Sequence, residues 1–191
     1  GTLMRELKRR GFSRLAGCDF SSHACDALRQ TGIKVVQANI EENFPFADTF
    51  DAIIFDNVIE HLRDPLGALT TSARHLASGG RIILTMPNAR AWDAKIFGRY
   101  WAGLQATRHI HIFAPESIAR GAERCGLTVR TLHSLFDPAQ WAFSFLNFLH
   151  SRFPASGAVR IPALPTLAFT PLAIAAQWYG KGGGIFAVLY K

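Results

Sequence analysis

The segment Phe50-Asp51-Ala52-Ile53-Ile54-Phe55 sets the first constraint on this chain, because it is apolar at nearly every position rather than at every second one. A strand with one wet face alternates. A run like this one fits a strand covered on both faces, as in a parallel sheet wrapped by helices. The flanking sequence repeats the demand. A helix is predicted over residues 2–10, with Leu3 and Leu7 on one face and Gly11 as its stop, and a short strand over 13–19. Ser21 and Ser22 can cap a helix to about Gln30 that Gly32 closes, and the β-branched run 33–38 is a second strand. Pro65 starts a helix carrying Leu66, Leu69, Ala73 and Leu76 that ends at Gly79-Gly80, and 81–86 is a strand stopped by Pro87. Pro115 opens a helix to Cys125, and 127–135 and 185–190 read as strands. Strand and helix alternating at this spacing predict an α/β fold with a mostly parallel sheet and helices on both faces.

The positive charge is unevenly placed. The net charge is +7, and all 14 acidic residues lie at or before Asp137. From Pro138 onward the formal charges are Arg152, Arg160, Lys181 and Lys191, a pattern compatible with an anionic membrane surface. Nucleic acid is not expected as a partner: Arg5, Lys8, Arg9 and Arg10 share one short helix with Glu6, and no aromatic-basic interleaving follows. The cysteines, Cys18, Cys25 and Cys125, are odd in number, lack metal-type spacing and read as small buried hydrophobes in a reducing, cytoplasmic setting. No charged-then-apolar leader precedes the first helix.

Ligands of an open parallel sheet bind beyond the carboxyl ends of its strands. Three such ends carry polar residues: Asp19, Asn39 and Asp56-Asn57. Asp19 can accept both hydroxyls of a ribose, or serve only the helix start at Ser21. It follows Gly1 at close to the roughly 20-residue offset between a phosphate- or nucleotide-cradling glycine turn and its ribose acid. Asn39-Ile40 can offer a side-chain amide and a backbone N–H to an adenine edge, although Asn also ends ordinary strands.

The run Phe55-Asp56-Asn57-Val58-Ile59-Glu60-His61-Leu62-Arg63-Asp64-Pro65 is more specific. With Phe50-Asp51 before it, Pro45-Phe46 ahead of Asp48, and Gly79-Gly80 after it, it resembles class I S-adenosylmethionine-dependent methyltransferases of the branch that includes the ubiquinone-biosynthesis type. The block Arg108-His109-Ile110-His111-Ile112-Phe113-Ala114-Pro115-Glu116-Ser117 resembles a second family block. The likeness covers residues 1–135, with 182–191 similar to the closing strand.

This resemblance implies a Rossmann-like core over 1–137 and 182–191, with S-adenosylmethionine as cofactor. Gly1 would be the last glycine of the cofactor turn, Asp19 would hold the ribose, and Phe20 and Ile40 the adenine faces. Asn39 would meet the adenine edge, and Asp56 and Asn57 the methionine side. His61, His109 and His111 are the candidates for an acceptor-side base, and no metal ligand set is expected. Three departures stand out. The family's first central strand and most of its glycine turn are lacking, so the chain reads as truncated, and the strands ending at Asp19 and Asp56 are not expected to close over the gap. Asn39 stands where the family has an acid, and Ala114 where a capping threonine is frequent.

Residues 138–181 form an apolar insertion before the last strand. Trp141 to Leu149 is rich in Phe, and 161–179 is uncharged over about a membrane span. Pro162, Pro165 and Pro171 argue against a regular spanning helix. A membrane-facing or lipid-acceptor-binding cap remains open beside a packed cap or dimer surface. The expected activity is methyl transfer to a small-molecule, sugar or lipid-like acceptor. A non-catalytic, membrane-peripheral or scaffolding domain of the same fold is the alternative, and an NAD(P)-dependent oxidoreductase a further one. A kinase reading of His61-Leu62-Arg63-Asp64 fails, since no Asp-Phe-Gly follows, and no Gly-x-Ser-x-Gly elbow is present.

Overall fold

The computed structural model describes residues 1–153 and 163–191 and divides into two compact units, Gly1–Thr49 and Phe50–Lys191. The predicted residues Arg160, Ile161 and Pro162 lie outside the described residues.

In the first unit, α1 (Thr2–Arg9) leads to β1 (Ala16–Asp19), α2 (Ser22–Arg29) and β2 (Lys34–Gln37). Both strands are shorter than the sequence suggests, and they pair in parallel with each other as a two-stranded sheet, Asp19 opposite Gln37. Ser21 caps α2 by accepting the Ala24 N–H at 3.3 Å. The core here is small: Cys25, Leu28, Ile33 and Val35, with Met4 and Leu15 packed against them.

The second unit holds β3 (Phe50–Asp56), α3 (Pro65–Arg74), β4 (Leu76–Pro87), α4 (Trp92–Phe97), α5 (Pro115–Arg124), β5 (Thr128–Leu135), α6 (Pro138–Arg152), α7 (Ala163–Trp178) and β6 (Gly184–Tyr190). Its sheet has the order β3-β4-β6-β5, with β3 and β4 parallel and β6 antiparallel to both neighbours. Three of the four strands therefore run the same way, as in Rossmann-like α/β sheets. Ile82, Leu84 and Met86 of β4 stand beside Leu189, Ala187 and Ile185 of β6, and all six are 0–1% exposed.

Two expectations need correction. β3 is not covered on both faces: Phe55 is 4% exposed but Ile54 is 37%, and among the described residues β3 is an edge strand beside β4. The helix begun at Pro65 stops at Arg74, and Leu76 already pairs with Phe50. Gly79-Gly80 then lies inside β4, in an irregularity where Ala52 next pairs with Arg81. Glycine is needed there, since a Cβ on Gly80 would sit 2.9 Å from the carbonyl oxygens of Ala77 and Phe50. Pro171 lies inside α7, a helix that does not span. Among the described residues no helix is long and apolar enough to cross a membrane. The apolar stretch read as an insertion belongs to the second unit, where α6 packs on α4 and α7.

Candidate functional site

Each unit presents candidate residues at the carboxyl ends of its strands. In the first, Asp19 accepts the Ser21 N–H on Oδ1 at 2.8 Å, so it does serve the start of α2, while Oδ2 remains for another donor. Phe20 is 81% exposed, an uncovered aromatic face beside that carboxylate. Gln37 donates to the Phe20 carbonyl at 3.2 Å, and the Ala38 N–H to that of Asp19 at 3.1 Å, tying the two strand ends together. Asn39 is spent on its own turn: its Oδ1 accepts the Glu41 N–H and its amide donates to Glu42, both at 3.1 Å. Ile40 follows half-buried, and Gly1 is the cap residue of α1 with its carbonyl accepting from Arg5 at 3.2 Å. A carboxylate with a spare oxygen next to an open aromatic surface fits a ribose and a purine face.

In the second unit β3 ends at Asp56, whose Oδ1 accepts the Thr85 hydroxyl at 2.5 Å and the Asn57 amide at 3.2 Å. Asn57 turns the chain in a left-handed conformation, φ 52°, which Asn tolerates better than branched residues do. A single 3₁₀ turn, Ile59–His61, follows and ends at His61.

The segment carrying the other histidines is held by long-range bonds. The Glu60 carbonyl accepts N–H groups from Ile110 and His111 at 2.9 and 3.1 Å, and the Phe113 carbonyl accepts the Ala89 N–H at 2.8 Å. This docking sets the alternation expected from the sequence, with His109, His111 and Phe113 half-buried and Arg108, Ile110 and Ile112 exposed.

His61 and His109 come together, ring centroids 4.8 Å apart and edge to face. His61 Nδ1 lies 2.9 Å from the Arg108 carbonyl and His109 Nδ1 2.8 Å from that of Gly103. A carbonyl only accepts, so each Nδ1 carries the proton, and in the neutral ring Nε2 is the nitrogen with a free lone pair. Burial holds the His109 imidazole below the usual histidine range. The Gly103 carbonyl opposes that shift, and the His61 and Arg108 charges add to it.

His111 is not part of this pair. Its ring lies 5.8 Å from Phe113, and its Nε2 is buried with no partner.

A pocket of about 380 Å³ opens over His61 and His109, with Asn57 and Glu60 on one side and Ala139, Gln140 and Phe143 of α6 on the other. A smaller one of about 190 Å³, lined by Asp56, Thr85 and Phe136, shares Asn57 and Gln140 with it. Gln140 is fixed by Asp93, which is fully buried and accepts from Gln140 at 3.0 Å and from Trp101 Nε1 at 2.9 Å.

Sequence reasoning missed Glu60 as a site residue. It is 1% exposed, and neither carboxylate oxygen has a hydrogen-bond partner. Burial pushes its carboxyl above the usual range, with its own N–H and His61 pulling the other way. Glu60, His61 and His109 offer one donor atom each within 4.8 Å of one another, a set that suits a divalent cation of borderline softness. The signal was an acid beside a histidine in an otherwise apolar turn, but the third member lies 48 residues on and is brought in only by folding.

With the geometry in place, similarity to known proteins can be weighed. A family model described as a methyltransferase domain, type 23, matches residues 1–132. An uncharacterized 37.1 kDa protein in transposon TN4556 of Streptomyces fradiae is 28% identical over 182 residues, 86% of this chain, and the chain spans 51% of that relative's length. Among solved structures, an S-adenosylmethionine-dependent methyltransferase of Thermotoga maritima, a possible histamine N-methyltransferase, aligns with a TM-score of 0.63 at 18% identity, covering 93% of this chain and 72% of its own. A mycolic acid cyclopropane synthase complexed with SAH and CTAB aligns with a TM-score of 0.65 at 15% identity over 100% and 74% of the two chains. At such identities these structures establish the fold.

Proposed function

The chain belongs to the type 23 methyltransferase-domain family, and from that premise we propose that it takes part in methyl transfer from S-adenosylmethionine to an acceptor carrying an ionisable group. The observation that carries this reading is the His61–His109 pair over its pocket, with each Nδ1 engaged and each Nε2 left basic. When bound, the cofactor supplies a methyl group already activated on a sulfonium, so what the protein must add is alignment and, for a protonated acceptor, a base. Asp19 would accept the ribose hydroxyls on Oδ2, and Phe20 would cover the adenine. Ile40 would pack on the same base, and Asn39 would need to exchange its turn bonds to reach the adenine edge. Asp56 and Asn57 would receive the ammonium and carboxylate of the methionine side.

At the acceptor, His109 Nε2 would take the proton as the methyl arrives, and His61 Nε2 would orient the acceptor atom. His111 has no such part in this reading. The pocket mixes an amide, two imidazoles and the Phe143 ring, which suits a flat or amphipathic acceptor, small-molecule, sugar or lipid-like, and a peripheral membrane contact through 141–179 would favour the last.

Calorimetric titration with S-adenosylhomocysteine tests the cofactor half directly. Micromolar binding is expected. Absence of heat from the folded chain overturns the assignment and leaves a non-catalytic domain of this fold.

A further inference from the structure

α7 is buried along one side and bare along the other. Ala173 and Ala176, 1% and 0% exposed, close with Trp141 on a cluster joined by Trp92, Phe97 and Phe169. On the opposite side Leu167, Ile174 and Trp178 follow one another at helical spacing and are 73%, 40% and 86% exposed, while Leu172, 47% exposed, lies on a flank and Tyr179, 72% exposed just past the helix end, stacks on Trp92. A surface helix in water turns charge outward, yet no charged residue lies between Ala163 and Gly180. A continuous apolar face of this kind marks a surface that meets something other than water.

The surrounding charge identifies the partner. No acid occurs from Pro138 to Lys191, Lys181 follows the Trp178-Tyr179 pair, and Arg152 closes α6 beside Phe153, itself 73% exposed. Glu116, an acid in the field of Lys181, is met also by Arg90 at 3.6 Å, so that trio stays net positive. Two copies of this chain apposed through α7 would bring these cations together. A bilayer with anionic headgroups would instead receive all the groups at once: aliphatic side chains among the acyl chains, Trp178 and Tyr179 at the interfacial level, and lysine and arginine at the phosphates. The sixteen described residues of α7 fall short of the roughly 20 that a crossing helix needs, which favours a helix lying along the surface.

We propose that the outer face of α7, ending in Trp178 and Tyr179, docks this protein on anionic membrane surfaces. That α6 both packs on α7 and lines the acceptor pocket would then place the pocket close to acceptors dissolved in the bilayer, a consequence that rests on the methyl-transfer reading, whereas docking itself does not.

The experiment is co-sedimentation of the protein with vesicles of phosphatidylcholine alone or of phosphatidylcholine mixed with phosphatidylserine, at low and high salt. Binding to the mixed vesicles that weakens with salt is expected, reduced roughly tenfold or more by Leu167→Glu with Trp178→Glu. Far-UV circular dichroism checks that the variant folds. Brominated acyl chains should quench the fluorescence that Trp178→Phe removes, a readout in a protein with its face intact. Wild type left in the supernatant with both vesicle types overturns the proposal, as does binding indifferent to the double substitution. A dimer in sedimentation velocity that the double substitution dissolves, without vesicle binding, assigns the face to a second copy instead. Silence toward S-adenosylhomocysteine with vesicle binding retained breaks the proposed function and leaves docking standing.

Discussion

The strand ends of the first unit and those of the second are built in different ways. At Asp19 and Asn39 the side-chain bonds join residues two or three apart, in the turns of Asp19 with Ser21 and Asn39 with Glu41 and Glu42, while Gln37 and Ala38 bond across to Phe20 and Asp19 to hold the strand ends. Around His61 and His109 they join residues far apart, His61 to Arg108 and the Glu60 carbonyl to Ile110 and His111. The first arrangement follows from local turn chemistry. The second exists only when the whole unit has folded, and it holds the two imidazole rings in a fixed edge-to-face arrangement.

The largest effect should come from breaking the long-range half. His109→Gln is expected to lower kcat by about 100- to 10,000-fold, with S-adenosylhomocysteine affinity retained, if it is the base. The wild-type rate should also stay high below pH 6.5: burial lowers the His109 value, so the ring remains neutral until the pH falls through that lowered value. An acid limb above the ordinary histidine value would contradict the assignment.

Next comes the local half. Asp19→Ala removes a charged acceptor and should weaken S-adenosylhomocysteine by roughly tenfold to a hundredfold, read by calorimetry, with little change in the melting temperature. If the affinity is unchanged while the melting temperature falls, the bond to Ser21 is the whole of Asp19's role and the ribose assignment fails.

Glu60→Gln sharpens the contrast through pH. Burial raises the Glu60 carboxyl, so the folded chain keeps that proton to higher pH than the unfolded chain does. Stability from this group is therefore present below the ordinary value of 4.5 and is lost as pH rises through the raised folded value. Thermal melts should show the Gln variant gaining on wild type at pH 7 relative to pH 4. A gap independent of pH would mean that Glu60 is ionised and paired in the folded protein.

The smallest effect belongs to the cap of α5, where Ala114 gives no side-chain bond. Ala114→Ser should raise unfolding free energy in urea by about 1 kcal/mol and leave the pocket untouched.

The same division explains what could be read from the sequence. Ser21, Pro65, Pro115 and Gly126 punctuate their helices through local chemistry, and the strands before and after them were legible to within a few residues. The start of β4 was not, because Gly79-Gly80 looks like a helix stop until Phe50 is known to pair with Leu76. The apolar run of β3 suggested cover on both faces, but apolar character reports only what a strand prefers and not which neighbours it has. His61 and His109 could be named as candidates, and their meeting could not, since it depends on a loop anchored to a carbonyl 50 residues away.

The two carbonyls at Arg108 and Gly103 have one more consequence. With Nδ1 of each ring committed to a backbone oxygen, a proton gained at Nε2 has nowhere inward to go, since passing it through the ring would leave a carbonyl facing a bare lone pair. On the proposed methyl-transfer reading, whatever Nε2 takes from an acceptor would have to leave again on the pocket side. The histidine pair would then be a terminus for the proton rather than a relay.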